Sequence, residues 1–443
     1  MPLAKMNLGI VLGLMVALTL SARAEESALT KFNAEAARFY RQGHYADAVR
    51  AGQEALAEAE KYLGDSPRDF ATALSNLAEF QRAQGNYTEA ESLLKRALSI
   101  DQKFLNDRPD VATDLSNLGL IYDSQQRYAE AEKLYQQALA MDERLLDTNA
   151  PDVATDLNNL AEVYREQDKF GEAEPLYKRA LTIWEQSTNA NDRAAATMLN
   201  NLSALYIAQG NPADAEPLLT RALAIWRKEV RVDHPNLLVT LRALGSVYTS
   251  LGEYAKAENC YTQDLAIVEK TDDGKNPQLG KDLSNLGLAL YLQRKYAEAE
   301  SPLKRALELN EKIHGTNALV VASSLNQLAE VYCVQGKYAQ AEPLYKRALS
   351  IDETIPNPQH TVVANDLRNL ATVYSKQGRN ADAEPLLQRL LTIKEATLGP
   401  NSPQLVPILD SYITVLRLLG CDDEATTMAL RADALRDQTA KKQ

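Results

Sequence analysis

Three observations predict that this chain is all-α, a solenoid of about ten antiparallel helix–turn–helix repeats. One alanine returns ten times along the 443 residues, at steps of 42 residues with a single step of 41. Within a repeat the apolar residues follow helical spacing, and a short turn interrupts them once. One helix pair cannot bury its own apolar stripe, so consecutive pairs have to stack into a continuous core. The recurring alanines are Ala48, Ala90, Ala131, Ala173, Ala215, Ala257, Ala299, Ala341, Ala383 and Ala425.

Each repeat is predicted to contain two helices joined by a tight turn. In the repeat that includes residues 155–184, apolar residues first occur at i, i+3, i+4 and i+7, which is the spacing of one helix face. These residues are Leu157, Leu160, Ala161 and Tyr164. The same spacing returns over residues 173–184 after a break. Breaks such as QGNY at 84–87 contain a Gly, which suits the left-handed residue that ends a helix.

Prolines mark the longer loops between repeats. Proline stops the preceding helix, and Asp110 and Asp152, which directly follow two of these prolines, are expected to cap the next helix. The loop prolines are Pro67, Pro109, Pro151, Pro235, Pro277 and Pro403.

The repeats are expected to form a single solenoid domain over residues 25–443. In the last repeat Ser411 replaces the usual Asn and the end of the chain is polar, as a solvent-facing end cap requires. The approximate limits of the ten repeats are 29–64, 70–106, 111–148, 153–189, 194–231, 236–271, 278–314, 319–355, 361–398 and 404–437.

Residues 1–24 differ from the rest and predict a cleaved signal peptide. Lys5 precedes an apolar run of 13 residues from Leu8 to Leu20, and SARA at 21–24 offers a small-x-small cleavage site. Such a run is short of the ~20 apolar residues that span a bilayer, and an uncleaved anchor is the alternative. No later segment is long and apolar enough to cross a membrane. We therefore expect an exported protein, periplasmic or secreted in a bacterium, whose mature form has no integral membrane span.

The charge of the chain argues against nucleic acid as a partner. The formal net charge is −12, and it becomes −14 when Lys5 and Arg23 leave with the signal peptide. Such a surface repels phosphate backbones. The three cysteines, Cys260, Cys333 and Cys421, are scattered and odd in number, so no disulfide framework supports the fold.

The repeats resemble tetratricopeptide repeats, and the 42-residue unit is similar to the kinesin light chain type. The segments that carry the resemblance are NNLAEVYREQ at 158–167, EAEPLYKRALTI at 172–183 and VDHPN at 232–236. The resemblance covers about Leu29 to Asp437. It implies a right-handed superhelix in which the first helix of each pair lines a concave face, where peptides or partner proteins bind.

Asparagines recur in the first helix of each pair, although Asn is a poor helix former. On a helical wheel Asn159 lies nearly opposite the apolar side, in a stripe with Thr155 and Glu162. Asn costs about 0.5 kcal/mol there relative to Glu, Lys or Gln. Its amide both donates and accepts, so it can pair with the backbone of an extended peptide without reading the peptide's sequence. Successive repeats carry at this position Asn76, Asn117, Asn159, Asn201, Ala243, Asn285, Gln327 and Asn369.

The predicted peptide-binding groove combines these amides with neighbouring amides and with cations of the middle and later repeats. Two alternatives stay open: the Asn side chains bond to a helix of the next repeat and set the stacking angle, or they are inherited by duplication without a use. The candidate groove residues are Asn76, Asn117, Asn158, Asn159, Asn200, Asn201, Arg242, Lys281, Asn285, Asn326, Gln327, Arg368 and Asn369.

Trp184 and Trp226 occupy one position of successive repeats, near the end of the second helix. We expect them to pack under the following loop. An aromatic hot spot on the outer edge is the alternative.

No motif indicates catalysis, a metal site or a cofactor. The spacings HxxxH, HExxH and CxxC do not occur, and GxSxG is absent. The four histidines lie near turns of four separate repeats. We therefore predict a non-enzymatic scaffold, without a cofactor, that binds a protein or peptide partner in its groove. A structural or self-associating repeat protein of the cell envelope is the alternative.

Overall fold

The computed structural model describes residues 28–62, 66–104, 108–186, 192–229, 234–271, 276–354 and 360–440. Within these ranges it contains twenty α-helices, one short 3₁₀ helix and no strand. The predicted all-α fold is confirmed. The predicted signal peptide lies outside the described residues.

The helices form ten pairs, and we call the first helix of a pair helix A and the second helix B. The pairs occur where the 42-residue repeat places them, and a 3₁₀ helix, Pro403–Leu405, precedes the last pair. The pairs are α1 Ala28–Arg41 with α2 Tyr45–Glu60, α3 Pro67–Ala83 with α4 Tyr87–Phe104, α5 Pro109–Ser124 with α6 Tyr128–Leu145, α7 Pro151–Glu166 with α8 Phe170–Gln186, α9 Asp192–Ala208 with α10 Pro212–Glu229, α11 Pro235–Ser250 with α12 Tyr254–Thr271, α13 Pro277–Leu292 with α14 Tyr296–His314, α15 Leu319–Val334 with α16 Tyr338–Glu353, α17 His360–Lys376 with α18 Asn380–Leu398, and α19 Val406–Leu418 with α20 Asp422–Ala440.

The chain divides into two compact units. The first ends at Thr240 and the second begins at Leu241, so that the division falls within α11. Each unit consists of stacked helix pairs that share apolar side chains across consecutive helices. The single domain over residues 25–443 stays a prediction.

A residue in the left-handed conformation forms the turn between helix A and helix B in all ten pairs. Seven of these turns use glycine, for example Gly85 at φ 88°. Glycine adopts this conformation without the steric penalty that a Cβ imposes. The other three turns use Gln126, Asp168 and Arg294, at φ 61°, 58° and 63°. The turn geometry therefore follows from the repeat, even where the sequence does not supply glycine.

The ten recurring alanines lie in the core of the helix pairs, and each is at most 1% exposed. Close approach of the two helices is also visible at Gly119, where an added Cβ would lie 2.8 Å from the ring of Tyr135. The same packing recurs at Gly245, where the distance to the ring of Tyr261 would be 2.6 Å. Small residues on helix A thus make room for the tyrosines of helix B.

Two of the expected helix caps were wrong. The residue before α5 is Arg108 and the residue before α7 is Ala150, and neither forms a side-chain cap. The prolines themselves are the first helical residues, because their fixed φ suits this position. Asp110 and Asp152 fall in the first turn, where a carboxylate is favoured by the positive end of the helix dipole.

Trp184 and Trp226 are both buried. Trp226 stacks on His234, with ring centroids 5.5 Å apart and an angle of 17° between the planes. His234 directly precedes α11, so Trp226 packs against the end of the connection that follows its helix, as expected; residues 230–233 lie outside the described residues. The loop after Trp184 lies outside the described residues.

Among the helices that are described, none combines the length and the hydropathy that a bilayer span requires.

Candidate functional site

The helix A asparagines fall into two neighbouring positions that have different surroundings. We call the position of Asn158 the stacking column and the position of Asn159 the amide column. The two positions are consecutive in the sequence and therefore lie about 100° apart around the helix. Their side chains therefore meet different neighbours.

Side chains of the stacking column hydrogen-bond to helix A of the next pair. Ser75 Oγ donates to Asp114 Oδ1 at 2.6 Å, and Ser116 Oγ donates to Asp156 Oδ1 at 2.5 Å. The same relation recurs in three further pairs, with amides or a guanidinium as the donor. The bonds are Asn200 Nδ2 to Thr240 Oγ1 at 2.8 Å, Arg242 Nε to Asp282 Oδ2 at 3.1 Å and Asn326 Nδ2 to Asp366 Oδ1 at 2.7 Å.

Four predicted groove amides are removed from the candidate site by these contacts. Asn158, Asn200 and Asn201 are buried, and the side chain of Asn201 donates to Asn158 Oδ1 at 2.9 Å. Asn326 is half-buried and bonds to Asp366 as described above. The Oδ1 of Asn326 is itself buried. An amide that is buried or paired between helices does not face a ligand. For these four residues the stacking alternative is the one that fits.

Arg242 is also removed from the candidate groove, because its side chain is paired within the stack. Its guanidinium lies 3.0 Å from Asp264 Oδ2 and 3.0 Å from Asp282 Oδ2, and both carboxylates are fully buried. Burial raises the pKa of Asp264 to about 8, while the Arg242 guanidinium opposes that rise. Asp264 occupies the position that alanine holds in neighbouring repeats, such as Ala222 and Ala306. The cation therefore serves a buried ion pair within the stack.

Five side chains of the amide column are half-buried and make no hydrogen bond to any described residue. They are Asn76, Asn117, Asn159, Asn285 and Asn369. Gln327 shares their position and partial exposure, but its Oε1 is buried and receives no donor from the described part of the chain. In these six residues of the predicted groove, amide groups are left without a hydrogen-bond partner among the described residues. They occur in both compact units.

In the first unit, the amide column is bordered by acidic side chains. Arg82 pairs with Glu79, and Arg165 pairs with Glu162 and with Glu166. Burial, together with the nearby Glu162 and Glu166, raises the pKa of Asp123 on the neighbouring helix to about 7. The carboxylates of Glu79, Glu162 and Glu166 outnumber the two guanidinium groups even without Asp123, so this border is net acidic at neutral pH.

In the second unit, cations and apolar side chains border the amide column. Lys281 and Arg368 are exposed, and neither forms an ion pair within the described residues. Leu288 and Val334 are exposed on the same helix faces, three or seven residues after a column member. This border therefore offers positive charge and apolar contact beside free amides.

The sequence-based prediction missed a set of buried aspartates at the contacts between pairs. We call the contact between helix B of one pair and helix A of the next pair a joint. At the joint of α12 with α13, Arg242 lies between Asp264 and Asp282. At three other joints two aspartates face each other within hydrogen-bonding reach and have no buried cation between them: Asp101 with Asp114, Asp142 with Asp156, and Asp352 with Asp366. All six are at most 4% exposed. Their recurrence at steps close to 42 residues was the available signal.

The described ranges contain no group of three or more His, Cys, Asp or Glu side chains arranged to hold a metal ion.

Models of the tetratricopeptide repeat match most of the chain. One matches residues 69–144, 124–186, 194–270, 252–312 and 320–396, and a second matches residues 33–103. The chain belongs to the tetratricopeptide repeat family. No match was found among curated proteins.

Solved structures include similar repeat proteins. BtubC (BKLC) from P. vanneervenii is 26% identical over 56% of this chain and 94% of its own, with a TM-score of 0.44. A putative kinesin light chain from Podosopora anserina is 25% identical over 45% of this chain and 94% of its own, with a TM-score of 0.40. The apo form of RapI is 15% identical over 83% of this chain and 97% of its own, with a TM-score of 0.58. The predicted resemblance to tetratricopeptide repeats is confirmed by the family models, and the likeness to RapI concerns the fold.

Proposed function

We propose that this protein is a non-catalytic scaffold that holds an extended segment of a partner protein along its helix A faces. The observation that carries the proposal is the set of unpaired amides at one position of five helices A, namely α3, α5 and α7 in the first unit and α13 and α17 in the second. Membership of the tetratricopeptide repeat family supports a protein-binding role. The proposed contacts are bonds from the amide column to the partner's backbone, each contributing about 1 kcal/mol net.

The persistence of asparagine supports a use for these amides. Asn76, Asn159 and Asn285 are only half-buried and bond to nothing among the described residues, so the fold does not require their amides. A better helix former at each position would stabilise the helix by about 0.5 kcal/mol. In the stacking column, by contrast, the same residue type is explained by bonds between helices.

The charges beside the amide column favour a particular ligand in the second unit. Lys281 and Arg368 carry unpaired positive charge in a chain whose formal net charge is −12. An acidic segment with apolar side chains would complement these cations and the exposed Leu288 and Val334. Because the cations are exposed, the attraction is expected to weaken with added salt.

We further propose that the scaffold acts outside the cytoplasm. The basic start, the apolar run from Leu8 to Leu20 and the SARA segment are the features that support export. N-terminal sequencing of the mature protein from its own cells tests this part. A mature chain that begins at Met1 would contradict cleavage after Ala24.

The test of the binding site uses the amides of the second unit. Asn285, Gln327 and Asn369 are changed together to alanine, and partner capture from the native extract is compared with that of the unchanged protein. A loss of about 3 kcal/mol, or more than 100-fold in affinity, is expected if all three amides bond to the ligand. Circular dichroism checks that the helix content is retained.

The matched control changes three small polar residues on helices B of the same repeats, Ser301, Ser350 and Thr392, to alanine. All three are exposed, so this variant should capture partners as the unchanged protein does. Equal capture by all three proteins would refute the proposed role of the amide column.

The alternative role, a self-associating repeat protein, makes a different prediction. Light scattering after size-exclusion chromatography should show a mass that rises with concentration if copies bind each other. A constant mass near 48.9 kDa, or slightly less after signal cleavage, would exclude self-association over the range measured.

A further inference from the structure

The three aspartate pairs have buried carboxyl oxygens that receive no hydrogen bond from any described group, and one proton shared within each pair would satisfy them. Asp352 Oδ1 and Asp366 Oδ2 are buried, and no described N–H or O–H group donates to them. The same holds for Asp101 Oδ1 with Asp114 Oδ2, and for Asp142 Oδ1 with Asp156 Oδ2. Two buried carboxylates that face each other repel, whereas one proton between them makes a hydrogen bond. Each closed joint therefore favours the state in which the pair keeps one proton.

Neighbouring groups do not neutralise the pairs. Beside Asp352 and Asp366 lie the donor Asn326 and the carboxylate of Glu353. Beside Asp142 and Asp156 lie Ser116, Asp152 and the buried ring of Tyr135.

The first pair has one cation nearby. Beside Asp101 and Asp114 lie Ser75, Asp110 and Arg68. Arg68 is exposed and pairs with Asp110 at 3.0 Å, so it does not provide a buried counter-charge.

At other joints, residues that need no shared proton occupy the positions of the aspartate pair. Asn310 and Ser324 stand where Asp352 and Asp366 stand one repeat later. Asn310 Nδ2 donates to Ser324 Oγ at 2.9 Å, and both residues are buried. Elsewhere Trp184 and Met198 fill the position in an apolar cluster. A joint thus closes with neutral or apolar side chains, and proton dependence is a property of particular joints.

We propose that the buried aspartate pairs are proton-dependent contacts that hold three joints closed at low pH and loosen them as the pH rises. This pH dependence does not rely on what the amide column binds. Adjacent joints differ in whether they contain an aspartate pair, so a change of pH would loosen the repeats unevenly along the chain.

The direction follows from burial of the pairs. Burial and, to a lesser extent, the partner carboxyl group together raise the pKa of Asp366 to about 7 and that of Asp156 to about 8. An aspartate in an open joint titrates near 3.8. A group whose pKa is raised in the closed state stabilises that state fully below about pH 4. The stabilisation is lost as the pH rises through about 7 to 8.

The test compares two adjacent joints of one chain by amide hydrogen exchange. Peptides from α16 and α17 report on the Asp352–Asp366 joint, and peptides from α14 and α15 report on the Asn310–Ser324 joint. Opening that releases one proton becomes up to about tenfold more frequent per pH unit. We expect the ratio of exchange rates between the two joints to rise accordingly from pH 5 to 7.5, since the intrinsic pH dependence of exchange cancels.

The variant D352N/D366S copies the neutral joint of the preceding repeat and should abolish this rise. A ratio that stays constant with pH in the unchanged protein overturns the proposal, as does a rise that persists in D352N/D366S. If the variant does not fold, the comparison within the unchanged protein decides alone.

Discussion

Asn201 donates its side-chain amide to Asn158 Oδ1 at 2.9 Å, and both side chains are buried between helices A of consecutive pairs. Asn159, the next residue along the chain, is half-buried and bonds to no described residue. Adjacent asparagines of one helix therefore have separate roles. One stabilises the stack, and the other is available to a partner.

Replacing Asn201 by alanine should destabilise the protein by about 1–3 kcal/mol. The change leaves Asn158 Oδ1 buried without its donor, and an unsatisfied buried acceptor carries the full desolvation cost. Urea unfolding measures the effect. The matched variant N159A should be neutral or more stable by about 0.5 kcal/mol, because alanine is the better helix former. Asn201 and Asn159 occupy the same position of consecutive repeats. Equal losses of stability in N201A and N159A would show that their bonding does not differ as described.

Replacing Arg242 by methionine should destabilise the second unit by about 3–5 kcal/mol. The change leaves Asp264 and Asp282 buried without a cation, so that at least one negative charge of the pair is left uncompensated in the interior. Urea unfolding with tyrosine fluorescence measures the loss. The control D264A restores the alanine that neighbouring repeats carry and keeps the pair of Arg242 with Asp282, so its effect should be clearly smaller. A smaller loss in R242M than in D264A would contradict the buried triad.

Replacing Arg294 by glycine should stabilise the protein by about 0.5–1 kcal/mol. Arg294 forms its turn at φ 63°, a conformation in which a Cβ is unfavourable and glycine is not. Thermal unfolding should show a small rise in Tm, and Q126G should behave alike. The reciprocal change G336A, at a turn with φ 73°, should lower stability by about 1 kcal/mol. A stabilised G336A would mean that the left-handed turns are not as described.

Glu342 should contribute to a loss of stability in acid. Lys346 donates to its carboxylate at 2.7 Å and Arg379 at 2.8 Å. These bonds lower the pKa of Glu342 to about 2, although burial opposes them. Because the pKa is lowered in the folded state, the stabilisation is present above about pH 4.5 and is lost as the pH falls towards 2.

The variant E342Q should remove that part of the acid dependence, about 1 kcal/mol, because Lys346 and Arg379 are largely exposed and solvent screens their attraction to Glu342. Tm measured from pH 2 to 6 is the readout. The control E308Q changes an exposed glutamate of α14 and should leave the profile unchanged. If E342Q follows the unchanged protein at every pH, the network around Glu342 does not stabilise the fold. Glu342 loses its stabilising effect at a lower pH than the range in which the aspartate pairs titrate, so the two effects can be measured separately.

The sequence by itself determined the repeat, the helix pairs and the buried alanines. These features follow from short-range rules, since helical spacing and the position of the turn are set by residues a few positions apart. The turns at Gln126, Asp168 and Arg294 show the strength of the period, because the geometry is kept without glycine. The position of the free amides on helix A also followed from the helical wheel.

Only the tertiary structure decided which side chains serve the stack. The partners of Asn158, Asn200 and Asn326 lie 40 or 43 residues away, and no local rule specifies a contact over that distance. The pairing of Asp352 with Asp366, and the burial of Arg242 between two carboxylates, likewise depend on how one helix pair seats against the next. Burial changes the bonding and the pKa of a side chain, and burial at a joint is fixed by packing between repeats.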